Sequence, residues 1–325
     1  MILAYLSEKR FKPEIITPRN QLLLHDALWI DMLNATKEEE KLVESKVGLD
    51  IPTREEMQEI EISSRLYKEN EILFMTVTMV AQSETLEPMS EAVTLILIKN
   101  QLITVRYLEP QSFALFIARL PKLPAEYHDS IHLIIELIDV SIDRLADILE
   151  KVSHCLDDYS RTIFRPQTSN STRRKPDFKQ HLQEIGLNGH LSTKVQESLI
   201  TFNRLITFFG QAVSAKLDSD LQSKLNMLTK DIISLSDYVS FLANKVTFLL
   251  DATLGMVNIE QNNIIKIFSI AAVILLPPTL VASIYGMNFK HMPELAWYGG
   301  YPMALVFMLI AAWLPYKYFK MKRWL

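Results

Sequence analysis

A chain of 325 residues with 49% hydrophobic content and a net charge of −4 is long enough for two or three compact units. It lacks the basic field that a nucleic-acid binder uses to displace counterions. Its single cysteine, Cys155, excludes an intramolecular disulfide, and only eight glycines occur, with no G-x-x-x-x-G-K-[ST] or G-x-G-x-x-G run to cradle a nucleotide. The start MILAYLSEKR has no basic-then-apolar leader, so no cleaved signal peptide is expected. No Ser/His/Asp or Cys/His arrangement offers a catalytic residue, and the chain is not expected to be an enzyme.

Residues 1–122 predict an α/β domain. The runs ALWIDML (27–33), EILFMTVTMV (71–80), AVTLILI (92–98) and LITVRY (102–107) are short and rich in β-branched residues, with Asn100-Gln101 as a tight turn between the last two. TKEEEKLVESKV (36–47) predicts a helix capped by Thr36, with Glu39 placed to complete a capping box. SFALFIARL (112–120) predicts a second short helix.

Long helices are predicted over 123–263. Ile131, Ile135, Ile138, Ile142, Leu145, Leu149 and Val152 recur at steps of four and three, while Glu136, Asp139, Asp143, Asp147 and Glu150 take the other side. His128 and His132 stand four apart, a spacing that suits zinc, but no third ligand is in view. RPQTSNSTRRKP (165–176) is a polar break. A helix follows over about 178–216, with a weak spot at GLNGH (186–190). The next helix keeps Leu221, Leu225, Leu228, Ile232, Leu235, Val239, Leu242, Val246 and Leu249 in step, and no proline interrupts the chain between Pro176 and Pro277. It is expected to run unbroken from 219 to 285.

The C-terminal quarter is apolar in two stretches. Residues 264–285 and 300–319 are each close to the ~20 residues that cross a bilayer. Tyr285, Trp297, Tyr298, Tyr301, Trp313, Tyr316, Tyr318 and Trp324 flank them as interfacial aromatics do. The loop 286–299 carries little charge, whereas the tail 320–325 is basic, so the positive-inside rule puts both termini in the cytoplasm.

A second stripe lies on the long helix. Asp251, Asn258, Asn262, Ile265, Ser269, Ala272, Leu276 and Thr279 follow steps of seven, then four and three, two residues out of phase with the leucines. Polar groups at membrane depth face a cavity rather than lipid. One helix cannot surround a cavity, so the stripe implies a symmetric oligomer about a central pore.

The sequence resembles the CorA family of divalent-cation channels. The resemblance is carried by Tyr285-Gly286-Met287-Asn288 followed by MPEL (292–295), by NIEQNNIIKIFS (258–269), by PPTLVASIYGMNF (277–289) and by the ending KRWL (322–325). The bacterial magnesium-transporting members are closer than the zinc-transporting branch, whose loop differs around the Asn and lacks MPEL. The resemblance implies a funnel-shaped homopentamer in the bacterial inner membrane, with an α+β cytoplasmic domain, a helical stalk and two C-terminal transmembrane helices, the first lining the pore. Gly286, Met287 and Asn288 would form the outer ion site, Thr279 a polar ring, and Leu276 and Ile265 the apolar gate. Asn262 and Asp251 would be inner polar rings, and Glu294 would attract cations to the rim. Mg²⁺ would be both cargo and cytoplasmic inhibitor, with Co²⁺ or Ni²⁺ as further cations, and neither nucleotide nor nucleic acid as partner. The stalk position where the family has one regulatory Asp holds Met227, with Asp231 one turn on; Asp139, Asp143 and Asp231 are the candidate regulatory ligands. Asp147 and Glu150 beside them, or the cluster Glu55, Glu56, Glu59 and Glu61, are the alternative regulatory candidates. Cobalt, nickel or zinc transport by the same fold, or a membrane-tethered sensor that does not conduct, are the alternative functions.

Overall fold

A computed structural model describes residues 1–6, 11–122, 129–164, 178–288, 292–293, 297–322 and 324. Seven strands form one sheet: β1 (Ile2–Tyr5), β2 (Pro13–Ile15), β3 (Trp29–Leu33), β4 (Leu66–Glu69), β5 (Ile72–Ala81), β6 (Met89–Ile98) and β7 (Gln101–Arg106). Their spatial order is β2-β1-β3-β7-β6-β5-β4. Among the described residues only β3 and β7 pair parallel, with Trp29 opposite Leu102 and Leu33 opposite Arg106. The β6–β7 hairpin turns at Lys99-Asn100, one residue earlier than expected. Lys99 takes φ 53°, as such a tight turn demands.

Both faces of the sheet are covered, which is why its inner strands read as nearly continuous apolar runs. One face packs Ile30, Met32, Ile96, Ile103 and Val105 against α1 (Leu23–Asp26), α2 (Lys37–Val47) and α3 (Arg54–Met57). Helix α2 starts as the sequence predicts. Thr36 Oγ1 accepts from the Glu39 N–H, and the Glu39 carboxylate accepts from the Thr36 N–H. The short α4 (Ile62–Arg65) leads into β4. The other face meets α5 (Gln111–Arg119), α6 (Ser130–Phe164) and α7 (Phe178–Val213). Trp29 stacks on Tyr5 at 4.1 Å and meets Phe116 edge-on at 5.1 Å. Ser198 of α7 donates to the Thr78 carbonyl at 2.7 Å, and the Thr78 N–H donates to Thr201 Oγ1 at 3.0 Å, so α7 docks on β5 through hydroxyls.

A charged pair that sequence reasoning did not find sits between the parallel strands. Arg106 and Asp31 meet at 2.8 Å with side chains 6% and 0% exposed. Thr104 donates to Asp31 at 2.7 Å and accepts from the Trp29 indole at 3.0 Å. The Arg106 guanidinium also donates to the Leu108 carbonyl and lies 4.4 Å from the Phe113 ring centre. A slip of β3 against β7 would strand a buried charge, so the network fixes the register.

Helix α7 passes through GLNGH without a break, contrary to the weak spot expected there. A Cβ on Gly189 would lie 3.0 Å from Val246 Cγ1 of α8 (Ser219–Tyr285), whereas Gly186 has open space around it. Gly189 is therefore a helix crossing point. Helix α8 starts with Asp218 Oδ1 accepting from the Leu221 N–H at 2.8 Å. It continues for 67 residues, about 100 Å at 1.5 Å per residue. The last helix, α9, spans Gly300–Met321. The chain divides into two compact units, Met1–Leu250 and Asp251–Leu325. In the first, Leu221, Leu225, Leu228, Ile232, Val239, Leu242, Val246 and Leu249 are buried and Leu235 is half-buried, as the leucine stripe predicts.

Candidate functional site

The second unit holds the polar stripe. Asp251, Asn258, Asn262, Ile265, Ser269, Ala272, Leu276 and Thr279 are all exposed in the single chain, with Ile265 at 61% and Leu276 at 66%. Bulky apolar residues left open at these steps are surfaces waiting for lipid or for other copies of the helix. Gly255, Ser283 and Gly286 fall on the same steps of four and three. Gly255 and Ser283 were missed by the sequence reading; dividing the seven-residue step between Asp251 and Asn258 into four and three, and carrying the count past Thr279, finds them. A straight helix drifts by about 20° per heptad, so the line stays on one side only if the helices supercoil.

Pro277 and Pro278 lie inside α8 without ending it. They have no N–H to give to the carbonyls of Val273 and Ile274. At the next residue, the Thr279 hydroxyl donates to the Leu275 carbonyl at 2.5 Å. Its hydrogen is therefore committed to the backbone, and the oxygen presents only acceptor lone pairs outward. At the top of the helix the Gly286 N–H donates to the Ala282 carbonyl at 3.0 Å, and the Met287 N–H to the Ile284 carbonyl at 3.3 Å. A Cβ on Gly286 would lie 3.2 Å from the Ala282 carbonyl oxygen, tighter than an ordinary contact. Glycine lets the chain close the helix tightly here and release Met287 and Asn288, both exposed. Glu294 lies outside the described residues, as do residues 289–291, 295 and 296 of the outer loop.

The 18-residue apolar windows of α8 and α9 are only 6% and 11% buried, which separates them from core helices of a soluble protein. Trp297, Tyr298, Tyr301, Trp313, Tyr316, Tyr318 and Trp324 are exposed around them.

The acidic candidates of the first unit are only partly available. Arg119 of α5 lies 3.3 Å from Asp139, 3.6 Å from Glu136 and 3.9 Å from Asp143. Lys224 of α8 pairs with Glu136 and lies 3.4 Å from Asp139. These two cations hold Glu136 and Asp139; Asp143 keeps only the longer contact to Arg119, Asp147 lies 3.9 Å from Arg144 one turn away, and Asp231 adds negative charge beside Asp143. Desolvation raises the Asp143 pKa above the ordinary carboxyl value. The charge of Asp139 raises it further, Arg119 opposes, and Asp147 and Asp231 add to it. Among the described residues no three acidic, His or Cys side chains form a metal-holding group within one chain. His132 Nδ1 lies 2.5 Å from Asp129, whose other carboxylate oxygen accepts the Ile131 and His132 N–H groups. That places His132 in the helix cap; His128 lies outside the described residues.

The CorA-like Mg2+ transporter protein family matches residues 25–323. Two proteins named "Magnesium transport protein CorA" are similar over most of their length. The one from Salmonella typhimurium is 33% identical over 325 residues, all of both chains, and that from Escherichia coli is 34% identical over 302 residues, 93% of each. The complete structure of the CorA magnesium transporter from Methanocaldococcus jannaschii shares the fold, with a TM-score of 0.71, 16% identity, and coverage of 100% of this chain and 99% of that one. The ZntB cytoplasmic domain from Vibrio parahaemolyticus is more distant, with a TM-score of 0.53 and 9% identity over 79% of this chain and 98% of that one.

Proposed function

The chain belongs to the CorA-like Mg2+ transporter family, and from that premise we propose that it conducts Mg²⁺ into the cell through a homopentameric pore in the bacterial inner membrane. The observation that carries this is the exposed line from Asp251 to Thr279 on a helix long and apolar enough to span the bilayer. The exposure of Met227, Ile233, Phe241 and Phe248 on the lower part of α8 supports an oligomer, since a lone helix would not leave such residues in water. Both termini face the cytoplasm on this reading, in keeping with the lysines after the second span.

Mg²⁺ gives up its water reluctantly and demands octahedral oxygen geometry. A pore that selects it by its hydration shell needs acceptors for the hydrogens of bound water. The side-chain carbonyl of Asn288 and the backbone at Gly286 and Met287 supply them at the mouth. Thr279 repeats the provision below, because its own hydrogen is engaged by Leu275. At the outer filter, neutral acceptors hold the ion weakly enough for release, where a carboxylate ring in that position would bind it too tightly. Rings of Leu276 and Ile265 close the path by dewetting. Asn262 and Asp251 receive the ion on the inner side, and Glu294 concentrates cations at the rim. The membrane potential drives entry: two charges gain about 4.6 kcal/mol per 100 mV.

Inhibition by cytoplasmic Mg²⁺ fits the surplus charge at Asp143 and Asp231, with Asp139 beside them. A divalent ion shared between neighbouring subunits would relieve that repulsion and hold the pore shut.

Flux into proteoliposomes loaded with a Mg²⁺-sensitive dye tests the reading. Wild-type protein is expected to pass Mg²⁺, and Asn288→Ala to lose flux or selectivity. Normal, selective Mg²⁺ entry through Asn288→Ala would remove that residue from the filter. Preference for Co²⁺, Ni²⁺ or Zn²⁺ in competition would reassign the cargo, and a well-folded oligomer without flux would be a tethered sensor. A native mass of two or three subunits would contradict the pore.

A further inference from the structure

A groove of about 490 Å³ runs between α8 and α9, lined by Ile274 of α8 and by Leu309, Ile310, Ala312, Trp313 and Tyr316 of α9. Its lining is hydrocarbon apart from the indole N–H and the phenol at one end. Along α9 it covers about 10 Å, the rise from residue 309 to 316. The end nearer the C-terminus changes character. One turn beyond Trp313 and Tyr316 stand Lys317 and Lys320, on the same face of the helix. The Lys317 ammonium lies 4.9 Å from the Trp313 ring centre and that of Lys320 5.9 Å from Tyr316. Neither lysine forms an ion pair among the described residues. An apolar slot thus opens onto two cations held over an aromatic rim, at the level where α9 leaves the hydrocarbon.

We propose that this groove is a specific site for one anionic phospholipid per subunit, with an acyl chain along Ile274, Leu309 and Ile310 and the phosphate against Lys317 and Lys320. The charges favour lipid over a second copy of the chain. In a cyclic oligomer of parallel subunits, a neighbour presents the same residues at the same depth. There these are Lys266, Lys317, Lys320 and Lys322, so a neighbour adds only like charge. After Asp251 the sequence holds two acids, Glu260 and Glu294. Glu260 stands about 9 Å before Lys266 along α8, on the side away from the apolar run, and Glu294 is in the opposite loop. The negative complement must come from the leaflet. The site rests on α8 and α9 spanning the membrane, and not on what the pore conducts. Because Ile274 is two residues from Leu276, a lipid here braces α8 beside the apolar ring of the pore.

Native mass spectrometry of the full detergent-solubilised chain, titrated with dioleoyl phosphatidylglycerol or dioleoyl phosphatidylcholine, tests this. A lysine near an anionic surface contributes about a fivefold change in binding, so two give a preference of roughly 30-fold for phosphatidylglycerol. Lys317→Gln with Lys320→Gln is expected to abolish that preference, and Lys317→Arg with Lys320→Arg to keep it. Ile310→Trp, which fills the slot, is expected to weaken both lipids while the oligomer stays intact. Equal affinity for the two lipids, or a preference untouched by the glutamines, would overturn the site. So would an Ile310→Trp variant that dissociates the oligomer yet keeps its phosphatidylglycerol, since that places a second copy in the groove. Mg²⁺ flux on the same samples separates the two readings: intact flux without lipid preference rejects only this one.

Discussion

Gly186 and Gly189 stand one turn apart on α7, and the structure assigns alanine opposite effects at the two positions. Each Gly→Ala change gains about 1 kcal/mol of helix propensity. At Gly186 nothing lies within 4 Å of the added methyl, so the gain is kept in full. At Gly189 the methyl would sit 3.0 Å from Val246 Cγ1. Carbon atoms prefer about 3.5–4.0 Å, so the overlap is half an ångström or more. Val246 cannot turn away, because a β-branched residue in a helix is confined to one χ1 rotamer. It is also buried, so α7 and α8 must part. Overpacking of this kind costs about 1–3 kcal/mol. Gly189→Ala is thus expected to destabilise by about 1 kcal/mol net, and Gly186→Ala to stabilise by about the same. The two variants should differ by about 2 kcal/mol, or roughly 4–8 °C in apparent Tm at one scan rate. Adding Val246→Ala to Gly189→Ala removes the clashing methyl and should show a favourable coupling of about 1 kcal/mol in the double-mutant cycle. Equal Tm values for the two single alanines, or a cycle with no coupling, would refute the crossing-point argument.

The remaining expectations concern the filter, the sheet and the acidic face. Thr279→Val keeps the shape but removes the outward lone pairs, so Mg²⁺ flux in proteoliposomes should fall at least tenfold if two water contacts of about 1 kcal/mol each are lost. Thr279→Ser should retain flux, and equal loss in both variants would point to packing instead. Arg106→Met leaves Asp31 buried and unpaired and should cost about 3–5 kcal/mol. Removing both charges with Asp31→Leu should recover part of this, measured as soluble folded yield and Tm. At Asp143 the folded-state pKa is raised, so the folded chain binds that proton more tightly than the unfolded chain. Stability from this group falls as pH rises from the ordinary carboxyl pKa through the raised one. In Mg²⁺-free buffer Asp143→Asn should therefore raise Tm at pH 7, and the gain should vanish near pH 3, where both side chains are neutral. The effect is small, since the side chain is 70% exposed. A Tm gain unchanged between those pH values would show that charge is not its cause.

What was legible in the sequence followed from local repetition. Strands β3, β5, β6 and β7 are long enough, and covered on both faces, to stand out as β-branched runs. The capping box at Thr36 and Glu39 and the leucine stripe of α8 are periodic or short-range signals, and both stand where the spacing puts them. Strands β1, β2 and β4 were missed because three or four residues cannot display an alternation; β2 exists by pairing with β1 across the fold. The Asp31–Arg106 pair joins residues 75 positions apart, each of which alone looks like a flaw in an apolar run. The same distance hid the pairing of Lys224 with Glu136, 88 positions away. Without it the acidic side of α6 reads as uniformly solvated, when part of it is neutralised within the chain.

The polar stripe was legible for a different reason, and that reason bears on function. A local pattern in a soluble helix is accounted for once its apolar side is buried, and the leucine stripe of α8 meets that condition within one chain. The line from Asp251 to Thr279 does not, for it alternates amides, hydroxyls and bulky apolar groups, and all of them are open in the single chain. Stability of one subunit gives no reason for such a line. Lipid gives none either, since Asn262, Ser269 and Thr279 have no call to share a side with Leu276 if that side meets only hydrocarbon. An aqueous path shared among copies satisfies both kinds of residue, the polar ones by water and ions and the apolar ones by closing against each other. Charge-for-neutral changes on this line should then alter ion passage with little effect on the fold of one subunit. The same changes on the leucine line should unfold it.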